Sequence, residues 1–133
     1  MRPAGWRGRL HAYLAEVRGR PFRYGEHDCA LFAAGAVAAM TERDPAAELR
    51  GHYRTLRAGL KAVNAAGYID HVDMAKALFP AIHPSQARAG DLAVVESESG
   101  PALGVVGGPM VFVLRQEGMA QVPLMAAAEA LRV

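Results

Sequence analysis

Apolar side chains recur with helical spacing through the first part of the chain and with strand spacing near its end. Trp6, Leu10, Tyr13, Leu14 and Val17 fall on one helical face, with Arg9, Glu16 and Arg18 off the stripe, and the pattern stops at Gly19 ahead of Pro21. From Cys29 to Met40 the pattern changes: Leu31, Phe32, Val37 and Met40 stand among alanines with nothing polar between them, which predicts a helix buried nearly all round. Asp44 before Pro45 predicts a capped short helix to about Arg50, broken at Gly51. Tyr53, Leu56, Leu60 and Val63 form another stripe that closes at Gly67, and Asp70 caps a short turn carrying Val72, Ala75 and Leu78. Phe79-Pro80 and His83-Pro84 then mark a connecting loop. Beyond Gly90, Asp91 to Val95, Ala102 to Val106, Met110 to Leu114 and Met119 to Val122 read as strands of an antiparallel meander, and an Ala-rich last helix is expected from Met125 to Leu131. Helices first and strands second predict an α+β fold in one domain, residues 1–133, with the sheet packed on the helix after Cys29.

A chain of 133 residues with 52% hydrophobic content can bury one proper core. Its single cysteine excludes an internal disulfide framework. No apolar run suits a secretory leader or a membrane span, so synthesis in the cytoplasm without a signal peptide is expected. The net charge is only +2, but Arg2, Arg7, Arg9, Arg18, Arg20 and Arg23 face only Glu16 and Glu26 nearby. That patch could meet an acidic partner; it reads as a solvated face rather than a nucleic-acid surface.

Cys29 carries the candidate chemistry. At a helix start a thiol feels the positive end of the dipole and free N–H groups, which favour thiolate. A small apolar filler is the alternative, since free cysteine is among the most buried residue types. His27, two residues away, is the candidate base; bonding of its ring to the loop backbone is the competing reading. His52 and His71 near helix starts, and His83 between Ile82 and Pro84, read as exposed loop residues. His27, Asp28 and Cys29 offer three ligand types, but no second spaced pair accompanies them, so no metal and no cofactor is expected. Gly104, Gly107 and Gly108 lie between strands and lack the helix and lysine of a phosphate loop. Asp28 is expected to cap the buried helix and Asp91 to fix the loop entering the sheet.

Phe22-Arg23-Tyr24-Gly25 before Asp28-Cys29, Gly90-Asp91-Leu92 opening a strand, and Leu103-Gly104-Val105-Val106 in the next resemble, in that order, the NlpC-type cell-wall endopeptidases, the smallest members of the papain-like superfamily. The whole chain also resembles a small group of phage and prophage tail-associated proteins with His-Asp-Cys-Ala-Leu at this place. The resemblance implies an NlpC-type fold with Cys29 as nucleophile and a strand at Gly104 crossing close to the Cys29 helix. Two departures stand against activity. Ala102 occupies the position of the family's histidine, and Phe22 replaces a tyrosine that offers a hydroxyl near the oxyanion. Loss of one member of such a unit removes several orders of magnitude in rate. The resemblance therefore implies a structural component of a phage-type tail tip or baseplate with an inactive peptidase site. It would be made in the host cytoplasm and reside in the virion tail, packed against hub or fibre subunits, with Phe112, Met119 and Met125 exposed for contact. The competing expectation is a peptidoglycan-cleaving cysteine peptidase or amidase that uses Cys29 with an unconventional base such as His27.

Overall fold

The computed structural model describes residues 2–133. Four helices, α1 (Trp6–Val17), α2 (Cys29–Thr41), α3 (Leu56–Ala65) and α4 (His71–Leu78), precede all of the strands. Strands β1 (Ala81–Ile82), β2 (Leu92–Ser97), β3 (Gly100–Val106), β4 (Met110–Arg115), β5 (Gly118–Pro123) and β6 (Glu129–Leu131) form one antiparallel sheet in the order β1-β6-β2-β3-β4-β5. The α+β class and the meander of β2 to β5 follow the sequence reading.

Alternation along the strands divides the core between the two sheet faces. Leu92, Val94, Leu103 and Val105 pack with Phe32, Val37 and Met40 of α2, while Ala93, Val95, Val106, Val111 and Val113 cluster on the opposite face. Helix α2 is buried nearly all round, as its unbroken apolar run requires. Helix α1 lies across it, with the Tyr13 hydroxyl donating to the Phe32 carbonyl at 2.7 Å. Gly35 makes room for that ring, since a Cβ there would sit 2.3 Å from the Tyr13 oxygen.

Two expected helices are not present. Residues 45–51 form successive turns, held by Asp44, which accepts from the Ala46 N–H at 2.9 Å and from Arg50 Nε at 2.9 Å. The Ala-rich C-terminal segment becomes a short 3-10 turn, Leu124–Ala126, and strand β6. A seven-residue helix has a weak nucleus, whereas β6 fills the gap between β1 and β2 and satisfies both edges. Asp91, 2% exposed, ties this end down by accepting from Arg2, Arg88 N–H and Val133 N–H at 2.7, 2.9 and 3.1 Å. Phe112 and Met119 are half-buried against the core rather than exposed; Met125 is 95% exposed.

Strand β3 does pack on α2, but Gly104 points away from it. A Cβ at Gly104 would meet Val111 Cγ1 at 2.5 Å and the Phe112 carbonyl oxygen at 2.8 Å, so the close approach is to β4. Ala102 pairs with Val95 and shares that far face, so the position matching the family's histidine is turned away from α2.

Candidate active site

Two helix starts meet to build the site. The chain reverses tightly at residues 23–27, where Arg23 and His27 exchange backbone hydrogen bonds of 2.9 and 2.8 Å and Gly25 takes φ 82°. No side chain fits at Gly25, because a Cβ would lie 1.7 Å from the Tyr53 carbonyl oxygen. Asp28 follows in extended conformation and caps α2, accepting from the Leu31 N–H at 2.9 Å. Its other oxygen accepts from the Gly25 N–H at 3.0 Å and the Tyr53 hydroxyl at 2.5 Å. The carboxylate is 3% exposed, so these donors replace the water it has lost. Cys29 is thereby fixed as the first residue of α2.

Helix α4 repeats the device. Asp70 caps it by accepting from the Asp73 N–H at 2.8 Å, and Asp73 accepts in return from the Ile69 N–H at 3.0 Å. Asn64 braces the preceding loop through the Tyr68 and Ile69 carbonyls at 2.8 and 2.9 Å. His71 is the first residue of α4, and its Nε2 lies 3.7 Å from Cys29 Sγ. The imidazole beside the thiol is therefore that of His71, which is half-buried at the start of α4 and not the exposed loop histidine that its local sequence predicts. His27, the candidate base, makes no hydrogen bond to Cys29 among the described residues. It is 2% exposed, its Nε2 has no partner, and its ring stands edge-on to Phe32 at 6.2 Å. His52 and His83 are exposed.

Burial outweighs the helix end in setting the thiol. Desolvation, with the Asp28 carboxylate adding, pushes Cys29 up to about 11, although the backbone N–H groups of Ala30 and Cys29 act to lower it. Burial pushes His71 down, and the resting pair is neutral thiol and neutral imidazole. Attraction between the charges at their separation, about 4 kcal/mol at an effective dielectric of ~20, favours the ion pair and offsets part of that desolvation, so the contact is one across which the Cys29 proton can pass to His71.

A cavity of about 80 Å³ opens at the pair, walled by Tyr24, Leu49, Tyr53 and the Leu56 and Leu60 side chains of α3. A smaller one of about 40 Å³ lies on the other side of His71, toward Met74 and Leu78. Tyr24, which accepts from Gln116 Nε2 at 3.3 Å, brings a hydroxyl-bearing ring to the cavity wall that Phe22 does not line. Among the described residues, no group of three or more His, Cys, Asp or Glu side chains is placed to hold a metal ion.

The whole chain, residues 1–133, matches the family described as Domain of unknown function (DUF6950). The chain belongs to that family. The DUF6950 domain is similar in structure to the NlpC/p60 domain of the peptidoglycan hydrolase SagA, with a TM-score of 0.57, 20% sequence identity, and coverage of 95% of this chain and 97% of that one. No curated protein matches it in sequence. At this identity the likeness establishes the fold, which is NlpC/p60-like as the ordered motifs implied. No helix of the DUF6950 domain is long and apolar enough to cross a membrane among the described residues.

Proposed function

We propose that the domain is a cysteine hydrolase that cleaves an amide bond, with Cys29 as nucleophile and His71 as general base and acid. The observation that carries this reading is the 3.7 Å separation of Cys29 Sγ and His71 Nε2, at the mouth of a cavity. In the first step the sulfur attacks the carbonyl carbon while its proton passes to His71. That proton then goes to the departing amine as the C–N bond breaks, leaving an acyl-enzyme and a neutral imidazole. Water, deprotonated by His71, releases the acid and restores the thiol. The N–H groups of Cys29 and Ala30, which already act on the sulfur, lie at the positive end of α2 and favour charge developing there. Peptidoglycan peptides are the first substrate to test, because the structural relative is a peptidoglycan hydrolase. Purified peptidoglycan incubated with the wild-type domain should release muropeptides, and Cys29→Ala and His71→Gln should each release none. Undiminished release by His71→Gln would overturn the dyad.

A second reading is favoured by Ile69, Leu78 and Met125, apolar side chains 77, 51 and 95% exposed. They support a subunit role in a larger assembly, and the resemblance in sequence implies a phage-type tail, with hub or fibre proteins as neighbours. Mass spectrometry of purified tail particles tests it; particles without this chain would sink it. Particles that assemble normally with the Cys29→Ala chain but lose wall-degrading activity would unite the two readings.

A further inference from the structure

The cavity beside Cys29 has a chemistry of its own. Leu56 and Leu60, 52 and 46% exposed, project from α3 into a wall where water would otherwise favour polar residues. No lysine or arginine among the described residues lines it. The one carboxylate there, Asp28, is already engaged by Leu31, Gly25 and Tyr53. A substrate carboxylate would find no cation to pair with, and a substrate ammonium no free acceptor of opposite charge.

The walls are also fixed in shape. Tyr53 is anchored through its hydroxyl to Asp28, and its ring lies on Gly59 of α3, where a Cβ would come within 2.8 Å of it. A rigid opening of about 80 Å³ is roughly half the ~150 Å³ of an engineered apolar cavity that holds benzene. It is also well below the ~300–1,000 Å³ of pockets that enclose drug-sized ligands.

Resting on the hydrolase reading above, we propose that this cavity is a specificity subsite that takes one uncharged aliphatic group, of valine to leucine size, flanking the bond that Cys29 attacks. Acidic and basic side chains are rejected by desolvation.

Alkylation rates of Cys29 test this on the intact domain, with mass spectrometry as readout. The probes are N-acetyl-aminoacyl chloromethyl ketones with valine, leucine, phenylalanine, glutamate or lysine side chains, each referred to iodoacetamide. The valine and leucine ketones should label Cys29 at least about tenfold faster than the glutamate and lysine ketones. Leu60→Arg, at a half-exposed position that tolerates the change, should abolish the leucine preference and raise glutamate labelling, each rate being referred to the iodoacetamide rate of the same variant. Equal rates across the series, or a glutamate preference in the wild-type domain, would overturn the subsite and leave the dyad standing. Failure of every ketone to label Cys29, whether or not iodoacetamide does, would overturn the subsite and the hydrolase reading together.

Discussion

Helices α2 and α4 begin in the same way and end up in opposite surroundings. Each opens with an aspartate cap followed at once by a reactive side chain, Asp28-Cys29 in one and Asp70-His71 in the other. Asp28 is buried and holds three donors that knit the 23–27 turn, α2 and Tyr53 together. Asp70 is half-exposed and caps a helix in which only Val72 and Ala75 are buried. The difference lies in anchoring: α2 presents the thiol from within the core, and α4, with two buried residues, brings an imidazole to it from the surface. Exactness of position comes from burial on one side and from capping alone on the other.

The largest expected effect breaks the pair. His71→Gln should lower Cys29-dependent hydrolysis by about three orders of magnitude or more, with a urea midpoint close to wild type. His27→Gln should spare the rate per folded molecule. A His27 variant that loses the rate while His71→Gln keeps it would reverse the assignment.

The caps should separate by stability. Asp28→Ala strands Gly25 and Leu31 N–H groups in the interior and is expected to cost about 3 kcal/mol or more, against about 1 kcal/mol for Asp70→Ala. Urea denaturation measures both, and equal losses would mean that the α2 start is no better anchored than the α4 start. Gly104→Leu should cost about 1–3 kcal/mol by overpacking Val111 and Val113, and an unchanged midpoint would discount the tight β3–β4 approach.

The smallest effect is the pH dependence of stability, and the two site residues oppose each other in it. The His71 pKa is depressed on folding, so as pH falls below the ordinary value near 6.5 the unfolded chain gains its proton first and stability drops. His27, also depressed by burial, adds to that acid limb. The Cys29 pKa is raised, so between the ordinary thiol value of 9.0 and about 11 the unfolded chain ionises first and stability drops again as pH rises. Cys29→Ala should flatten the alkaline limb between about pH 9 and 10, below the range where Tyr13 and Tyr53, also raised by burial, add their own loss, and should leave the acid limb. An unchanged loss between about pH 9 and 10 in Cys29→Ala would assign it to another group.

Much of this architecture was legible along the chain because it rests on local signals. The apolar run of α2 admits only burial, the Asp28 and Asp70 caps announce where helices begin, and the glycine and proline turns between β2, β3, β4 and β5 set a meander. The two missed elements failed for one reason, since alanine at 126–128 and 130 and the Asp44-Pro45 cap express helix propensity that a sheet gap and an Asp44–Arg50 pair overrode. The histidine beside the thiol escaped for another. Asp precedes a Cys at 28–29 and a His at 70–71, but nothing local pairs these two sites, and the family register points to position 102, whose side chain faces away from α2.

What the amino-acid order determined by itself was a thiol at the first turn of a buried helix and a histidine at the first turn of a short one, because caps and periodicity act over a few residues. Only the tertiary structure decided that the two helix starts converge across 42 positions of chain, and that burial would hold the thiol neutral rather than let the helix end ionise it. Both depend on what surrounds a side chain in space: the packing of α3 and α4 over the mouth of α2 supplies the neighbour and excludes the water, and neither is a property of any short stretch.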